Sequence, residues 1–400
     1  MTDDSAVAFV LALGRALHRY GTPAHRMEDG LRVVCRQLGV DAEVFTTPTA
    51  IIMSFGAPTE LRTRMLRVTG GELDMGKLAQ VDALADRVAS QGMTPSEGVA
   101  ALDAIMSGPS QFGRLVASCA QAVTSAALAV SFGGSLSDVA VAGAIGLLLG
   151  VLAQFLARST DQARVLELLG AAFAAFTAGV ASSLWPSVSP SLVTVAALVM
   201  LLPGMSLTVA MTELATRNLI AGTARLMSAV IVLLELVVGV ALGERLASAI
   251  VTVHQGAPIA LPEWSRWVAL AAASLGAGVV VQARPRAFGW IASACLVGYI
   301  GTRLGTVWLG NQMGVLVGAF ALGVTSNIYA RWLDRPAQVV QVPAVLLLVP
   351  GGLGFRGMSS LLDKDTLSGV ETLFAMFVVA IAIVAGLLVA SAVVPPRRSL

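Results

Sequence analysis

Beyond about residue 112 the chain alternates long apolar runs with short polar breaks, at about 115–132, 138–156, 165–184, 191–212, 226–243, 264–282, 286–302, 312–330, 338–353 and 370–393. Runs approaching ~20 apolar residues are long enough to cross a bilayer as helices, which predicts ten spans. The pattern before residue 112 is shorter in period. Thr22-Pro23 supplies a cap and a first-turn proline ahead of a helical stripe of Met27, Leu31, Val34 and Leu38, which Gly39 ends. Strand-like runs follow at 43–47, 49–55 and 62–69, then a helix over 74–89. Thr94-Pro95-Ser96-Glu97 is a capping box that opens another helix. The expectation is a small α+β domain over 1–112 in front of an all-α membrane region.

Two of the apolar runs are interrupted in the same way. The segments 197–212 and 344–359 superimpose at an offset of 147, which sets Pro203 on Pro350, Gly204 on Gly351 and Met211 on Met358. The same offset sets Phe173 on Phe320. Proline removes a helical N–H and glycine frees the backbone, so each run is expected to be a broken helix. Opened backbone at membrane depth requires burial in protein or a wet cavity. Matched breaks in two halves point to a transporter's substrate site. Five spans per half is an odd number, so the halves, 113–245 and 262–396, are expected to be inverted repeats of one another.

Composition agrees with this division. Hydrophobic residues make up 56% of the chain and charged residues 12%, against about 25% charged in soluble domains. Of the 24 acidic residues, 13 fall between Asp3 and Asp103. With 1–112 on the cytoplasmic side, the inside loops hold Arg158, Arg164, Arg217, Arg225, Arg284, Arg286, Arg331, Arg335, Arg397 and Arg398. The outside loops hold only Arg245, Arg266, Arg303, Arg356 and Lys364. The positive-inside rule then places both termini in the cytoplasm, and Trp185, Trp264, Trp267, Trp308 and Trp332 lie near span ends as interfacial anchors. A net charge of +2 argues against nucleic acid as a partner. Cys35, Cys119 and Cys295 are too scattered for a disulfide framework or a metal site and read as free buried thiols. His18 and His25 lack metal-ligand spacing and read as solvated surface residues, and the sequence calls for no metal or cofactor.

At several of these residues the chain resembles the threonine/serine exporter family of inner-membrane transporters. The resemblance rests on Gly14-Arg15, Tyr20-Gly21-Thr22 with Arg26 and Glu28, Leu38-Gly39-Val40 and Thr47-Pro48-Thr49. It continues at Leu202-Pro203-Gly204, Glu213, Gly222 and Arg225, and at Val349-Pro350-Gly351 with Gly354-Phe355-Arg356. Glu213 stands where relatives more usually carry aspartate, and Gly352 where a side chain often follows the Pro-Gly. The resemblance implies a fused form of an architecture that some relatives divide between two subunits. It also implies export of L-threonine and L-serine driven by the proton-motive force from a plasma (inner) membrane location. Its implied partners are a small amino acid, protons and the lipid bilayer, and a homo-oligomer is compatible with it.

The residues offer chemistry for such a cargo. A zwitterion needs donors for its carboxylate and acceptors for its ammonium group, and half-helix ends expose both. Candidate substrate residues are therefore Pro203, Gly204, Met205, Ser206, Pro350, Gly351, Gly352 and Arg356. Glu235 stands alone in an apolar run, where a carboxylate must be protonated, paired or open to a cavity, which makes it a candidate proton carrier. Glu213 and Arg225 are placed to form a gate ion pair, and Glu371 to pair with Arg356. Gln121, Thr124, Ser125, Thr325, Ser326 and Asn327 are candidates to line the path. Two other readings remain open: a dicarboxylate (succinate-like) exporter, and a sensor or enzyme anchored by its spans.

Overall fold

The computed structural model of the chain describes residues 4–57, 59–68, 73–156, 165–256, 259–348, 351–362 and 365–396. Pro350, Arg158, Arg164, Lys364, Arg397 and Arg398 lie outside the described residues. The N-terminal part contains helices α1 (Asp4–Arg19) and α2 (Ala24–Gln37), strands β1 (Ala42–Thr47), β2 (Ala50–Phe55) and β3 (Arg62–Arg67), and helices α3 (Met75–Ala89) and α4 (Pro95–Ser107). The strands form one antiparallel sheet in the order β1-β2-β3, with Val44 opposite Met53 and Ile52 opposite Met65. One face of β2, Ile51, Met53 and Phe55, is buried against Phe9, Leu13, Leu17, Met27 and Leu31 of the first two helices. Gly14 is the point of closest approach, since a Cβ there would sit 2.7 Å from the Met53 methyl. The capping box forms as expected, Thr94 Oγ1 accepting from Glu97 N–H at 3.3 Å while Glu97 accepts from Thr94 N–H at 3.0 Å.

The expected cap of α2 is different. Pro23, not Thr22, occupies the cap position and offers no side-chain bond. The Ala24 N–H is donated instead to Glu213 Oε1, at 3.1 Å and 189 positions away. A remote carboxylate satisfies the same orphan donor and adds a favourable charge at the positive end of the helix. Glu28 accepts from both the backbone N–H (2.8 Å) and the hydroxyl (2.9 Å) of Thr46, which clasps α2 to β1.

The remaining helices are α5 (Arg114–Ser131), α6 (Leu136–Leu156), α7 (Leu166–Leu184), α8 (Pro190–Leu198), α9 (Gly204–Ala215), α10 (Leu219–Ile250), α11 (Ser265–Val280), α12 (Phe288–Leu333), α13 (Gln338–Leu348), α14 (Gly351–Leu362) and α15 (Thr366–Val393). Seven helical segments among the described residues are long and apolar enough to cross a membrane, and α11 is a shorter apolar helix. This is a mostly helical membrane protein. The run beginning at Pro190 breaks after Leu198 and resumes at Gly204, with Pro203 at φ −78° and ψ 38°. The second predicted interruption, at 349–350, lies outside the described residues, which are helical on either side of it as α13 and α14. α12 is itself two helices joined at Gly310, whose φ of 80° and ψ of 171° belong to a region essentially restricted to glycine. It folds back on itself there, so that a Cβ at Gly301 would lie 3.0 Å from Gly318 Cα.

Small residues bring the helices together. Gly239 and Gly243 of α10 rest directly on backbone atoms of α7, and Gly386 of α15 rests on α12. Such close approach is how helices associate where lipid removes the hydrophobic drive. Thr124, Ser125, Ser326 and Asn327 belong to this packing. Thr124 donates to Ala120 O at 2.8 Å and Asn327 donates to Val394 O at 2.9 Å at the end of α15. Together with Gln121 and Thr325 they line neither of the cavities described below. Cys35 and Cys295 are buried free thiols as expected, whereas Cys119 is exposed on α5 because its face of that helix is not covered.

The N-terminal part is bonded to both sets of helices. Met75 and Gly76 donate backbone N–H groups to Val281 O (2.9 Å) and Gln282 O (3.2 Å) just beyond α11, and Gln282 Oε1 accepts from Phe112 N–H at 2.7 Å. On the other side the Glu213 carboxylate at the end of α9 reaches α2.

Candidate functional site

Two cavities flank the broken helices. The distal one, far from the N-terminal part, has a volume of about 710 Å³ and is walled by α8, the outer half of α10, α14 and the start of α15. Arg356 and Glu244 face into it together with the hydroxyls of Ser191, Thr194, Ser359 and Thr372. A cation and a carboxylate across a polar cavity complement the two charged ends of a zwitterion. The proximal cavity, about 110 Å³, lies between the start of α2, α9, the start of α13 and the end of α15. Arg26, His25, Gln338 and Gln341 enter it among Met205, Val342, Val345 and Leu387. Buried apolar side chains lie between the cavities: Leu202, Leu207, Leu233, Phe355 and Met376 belong to one core cluster, and Leu353 packs against it. α9, which follows the first break, packs against both α13 and α14.

Met205 and Arg356 of the candidate substrate residues face cavities, one on each side. Pro203, Gly204, Ser206 and Gly352 line neither. The first break closes largely on itself, with Leu201 N–H donating to Leu198 O (2.8 Å), Gly204 N–H to Leu202 O (2.8 Å) and Leu207 N–H to Pro203 O (2.9 Å). Backbone groups consumed in a turn are unavailable to a ligand, so this break shapes the chain rather than presenting donors. Glu371 is exposed and makes no bond to Arg356, which instead lies over the Phe132 ring at 5.7 Å. Ser368 and Thr372, one turn apart on α15, line the distal cavity, whereas Glu371 does not.

Glu213 and Arg225 pair as the spacing suggested. Arg225 Nε and Nη2 donate to the two carboxylate oxygens at 3.1 and 3.2 Å, with Glu213 fully buried. The turn between their helices is tight, and Arg217 takes the left-handed φ of 65° usually given to glycine. The histidines are not the solvated residues expected. His25 enters the proximal cavity, and burial followed by the Arg26 charge pushes its pKa down to about 4. His18, beside the ion pair, is also lowered, by burial first and then by Arg225. Both histidines lie under the helix ends on which the N-terminal part docks.

Glu235, the expected proton carrier, is half-buried, and Glu167 in the first turn of α7 interacts with it electrostatically. The second acid was legible as a lone carboxylate opening an apolar run, but its neighbour was not. Asp138 is another buried acid outside the sequence candidates. It accepts from Ser135 and from Ser189 N–H at 2.7 Å, which ties the start of α6 to the start of α8. Gln338 and Glu244 are further cavity residues that no local pattern marked, and Arg26 was marked only as part of the family resemblance. No group of histidine, cysteine and acidic residues able to hold a metal occurs among the described residues.

Comparison with known proteins gives a consistent relationship. A family model described as a threonine/serine exporter matches residues 8–247, and a second, described as threonine/serine exporter ThrE, matches residues 266–393. The chain is 29% identical over 379 residues to pheromone-regulated membrane protein 10 of Zygosaccharomyces rouxii, covering 89% of this chain and 37% of that protein. It is 28% identical to the protein of the same name in Saccharomyces cerevisiae, covering 90% of this chain and 48% of that protein. It is also 28% identical to the Schizosaccharomyces pombe protein C7D4.12c, over 87% of this chain and 48% of that one. The chain thus spans less than half the length of these curated relatives. No solved structure matches it.

Proposed function

The chain belongs to the threonine/serine exporter family, and from that membership we propose that it exports small hydroxylated amino acids, L-threonine and L-serine, by proton antiport. The observation that carries the proposal is the pair of cavities toward opposite ends of the helices, with an apolar core cluster around the broken helix α8–α9. A carrier works by exposing one site to each side in turn, and opposed cavities with a closed middle are the geometry such a cycle needs. In this reading 113–245 and 262–396 are inverted five-span halves, giving ten spans in all, and 1–112 is a cytoplasmic domain at a plasma (inner) membrane. The reciprocal packing of α9 on α15 and of α14 on α10 supports the pseudo-twofold relation.

The distal cavity, facing outward, holds the cargo: Arg356 takes its carboxylate, Glu244 its ammonium group, and the serine and threonine hydroxyls its side-chain hydroxyl. Glu235, half-buried in an apolar run of α10 with Glu167 nearby, carries the coupled proton in this reading, since a carboxylate at membrane depth marks a proton path. The Glu213–Arg225 pair holds the cytoplasmic side shut, and its rupture accompanies opening. Arg356 also suits a dicarboxylate, but a carboxylate lining the same cavity favours the amino acid. Counterflow in proteoliposomes separates the two. Labelled threonine and serine should exchange while succinate does not, and succinate exchange without threonine exchange would replace this reading.

A further inference from the structure

The proximal cavity holds a cation that the protein does not neutralise. We propose that Arg26 and Gln338 form a carboxylate-binding site there, so that the N-terminal domain itself contacts the cargo on the cytoplasmic side. The proposal rests on the transport reading only for the identity of the ligand.

Arg26 enters the cavity from the first turn of α2 and makes neither ion pair nor hydrogen bond among the described residues. The acids of α2 and the Glu213 carboxylate that reaches its start are committed elsewhere. Glu28 serves Thr46 and Arg32, Asp29 serves Arg32, and Glu213 serves Arg225 and the Ala24 N–H. The position itself disfavours a cation, since the first turn is the positive end of the helix dipole, and burial lowers the guanidinium's pKa below its ordinary value. Gln338, in the first turn of α13, faces the same cavity. Only 7% exposed, it has no partner for either its amide nitrogen or its amide oxygen. Buried polar groups normally find partners, so a donor amide and an unpaired guanidinium converging on one hollow indicate a missing acceptor.

The chemistry selects its class. A guanidinium fork matches the planar bidentate carboxylate, and the amide N–H of Gln338 adds a third donor. The walls are apolar, Met205, Val342, Val345 and Leu387 among them, which strengthens a charge pair and suits a small organic acid rather than a dianion. The volume of about 110 Å³ is several times that of a water site, which needs roughly 10–15 Å³.

The test is calorimetric binding to the purified full chain, with L-threonine, L-threoninol (which lacks the carboxylate), acetate and inorganic phosphate as probes. Expected are binding of L-threonine, loss of binding for L-threoninol, and Arg26→Gln weakening L-threonine by about tenfold or more. Gln338→Leu should weaken it several-fold. Arg26→Gln should melt no lower than wild type, because it removes a charge that the fold alone does not use. Should Arg26→Gln fail to fold, Gln338→Leu and the L-threoninol comparison decide. Unchanged L-threonine affinity in a folded variant, equal binding of L-threoninol, or phosphate binding more tightly than any carboxylate overturns the proposal. If counterflow fails for every amino acid while acetate still binds in an Arg26-dependent way, the transport reading falls and this site stands. If threonine is exchanged while its binding ignores Arg26, only this site falls.

Discussion

Glu213 connects three parts of the protein through one carboxylate: the end of α9 that carries it, Arg225 on α10, and the first N–H of α2. Removing it leaves a part-buried guanidinium and an orphan helix donor together. Glu213→Ala should therefore cost about 3–5 kcal/mol in unfolding experiments. Exchanging the two charges should restore only part of this, because the arginine would then stand at the positive end of α2. Full rescue by the swap would show that the α2 contact contributes nothing. His25 adds a pH dependence. It is neutral in the fold, with a pKa of about 4, and titrates near 6.5 when unfolded. The unfolded state therefore binds the extra proton, and stability complete above pH 6.5 is lost as pH falls toward 4, by up to about 3 kcal/mol. Melting profiles of wild type and His25→Gln should diverge as pH falls below 6.5, the wild type losing more; parallel curves would remove His25 from the account. At Glu235, glutamine should abolish pH-driven uphill transport yet spare exchange, and retained uphill transport would exclude it as the proton carrier.

Among the elements, seams and joints carry the specificity. Gly239 and Gly243 let α10 lie on the backbone of α7, and any side chain there would collide with Leu168 O or Ala172 O. Gly243→Leu should force the pair apart and cost well over 1–3 kcal/mol, visible as a lower melting temperature together with lost transport. At Gly310 the backbone conformation is one that L-residues avoid, so Gly310→Ala should cost about 1–3 kcal/mol or loosen the hairpin of α12. An unchanged melting temperature would mean that the turn tolerates another geometry. Apolar run length and the first Pro-Gly pair announced these elements: the interruption before Gly204 appears where two helices separate, while the one at 349–350 lies outside the described residues. The phase of the elements was less legible. A run of serine and threonine reads alike whether it faces a path or a seam: Thr124 and Ser326 are buried, their hydroxyls donated to the carbonyl one turn back in their own helix, and Asn327 bonds to the end of α15.

At the scale of the whole molecule, the N-terminal part sits across the meeting point of both helix sets, held by Glu213 on one side and by Val281 and Gln282 on the other. Its docking closes the proximal cavity, while the distal cavity is roughly six times larger. The sequence by itself determined the membrane class, the apolar runs, the break before Gly204, the α+β character of the first hundred residues and the family. Each of these follows from local composition, period and order, which one strand of text carries. Only the tertiary structure decided which residues share a cavity. Arg26 and Gln338 are separated by 312 positions, and Glu244 and Arg356 by 112, yet each pair faces one hollow. Such convergence depends on helix phase, on close glycine seams and on how the N-terminal part docks. Those are properties of packing between distant segments, and no periodicity within either segment encodes them.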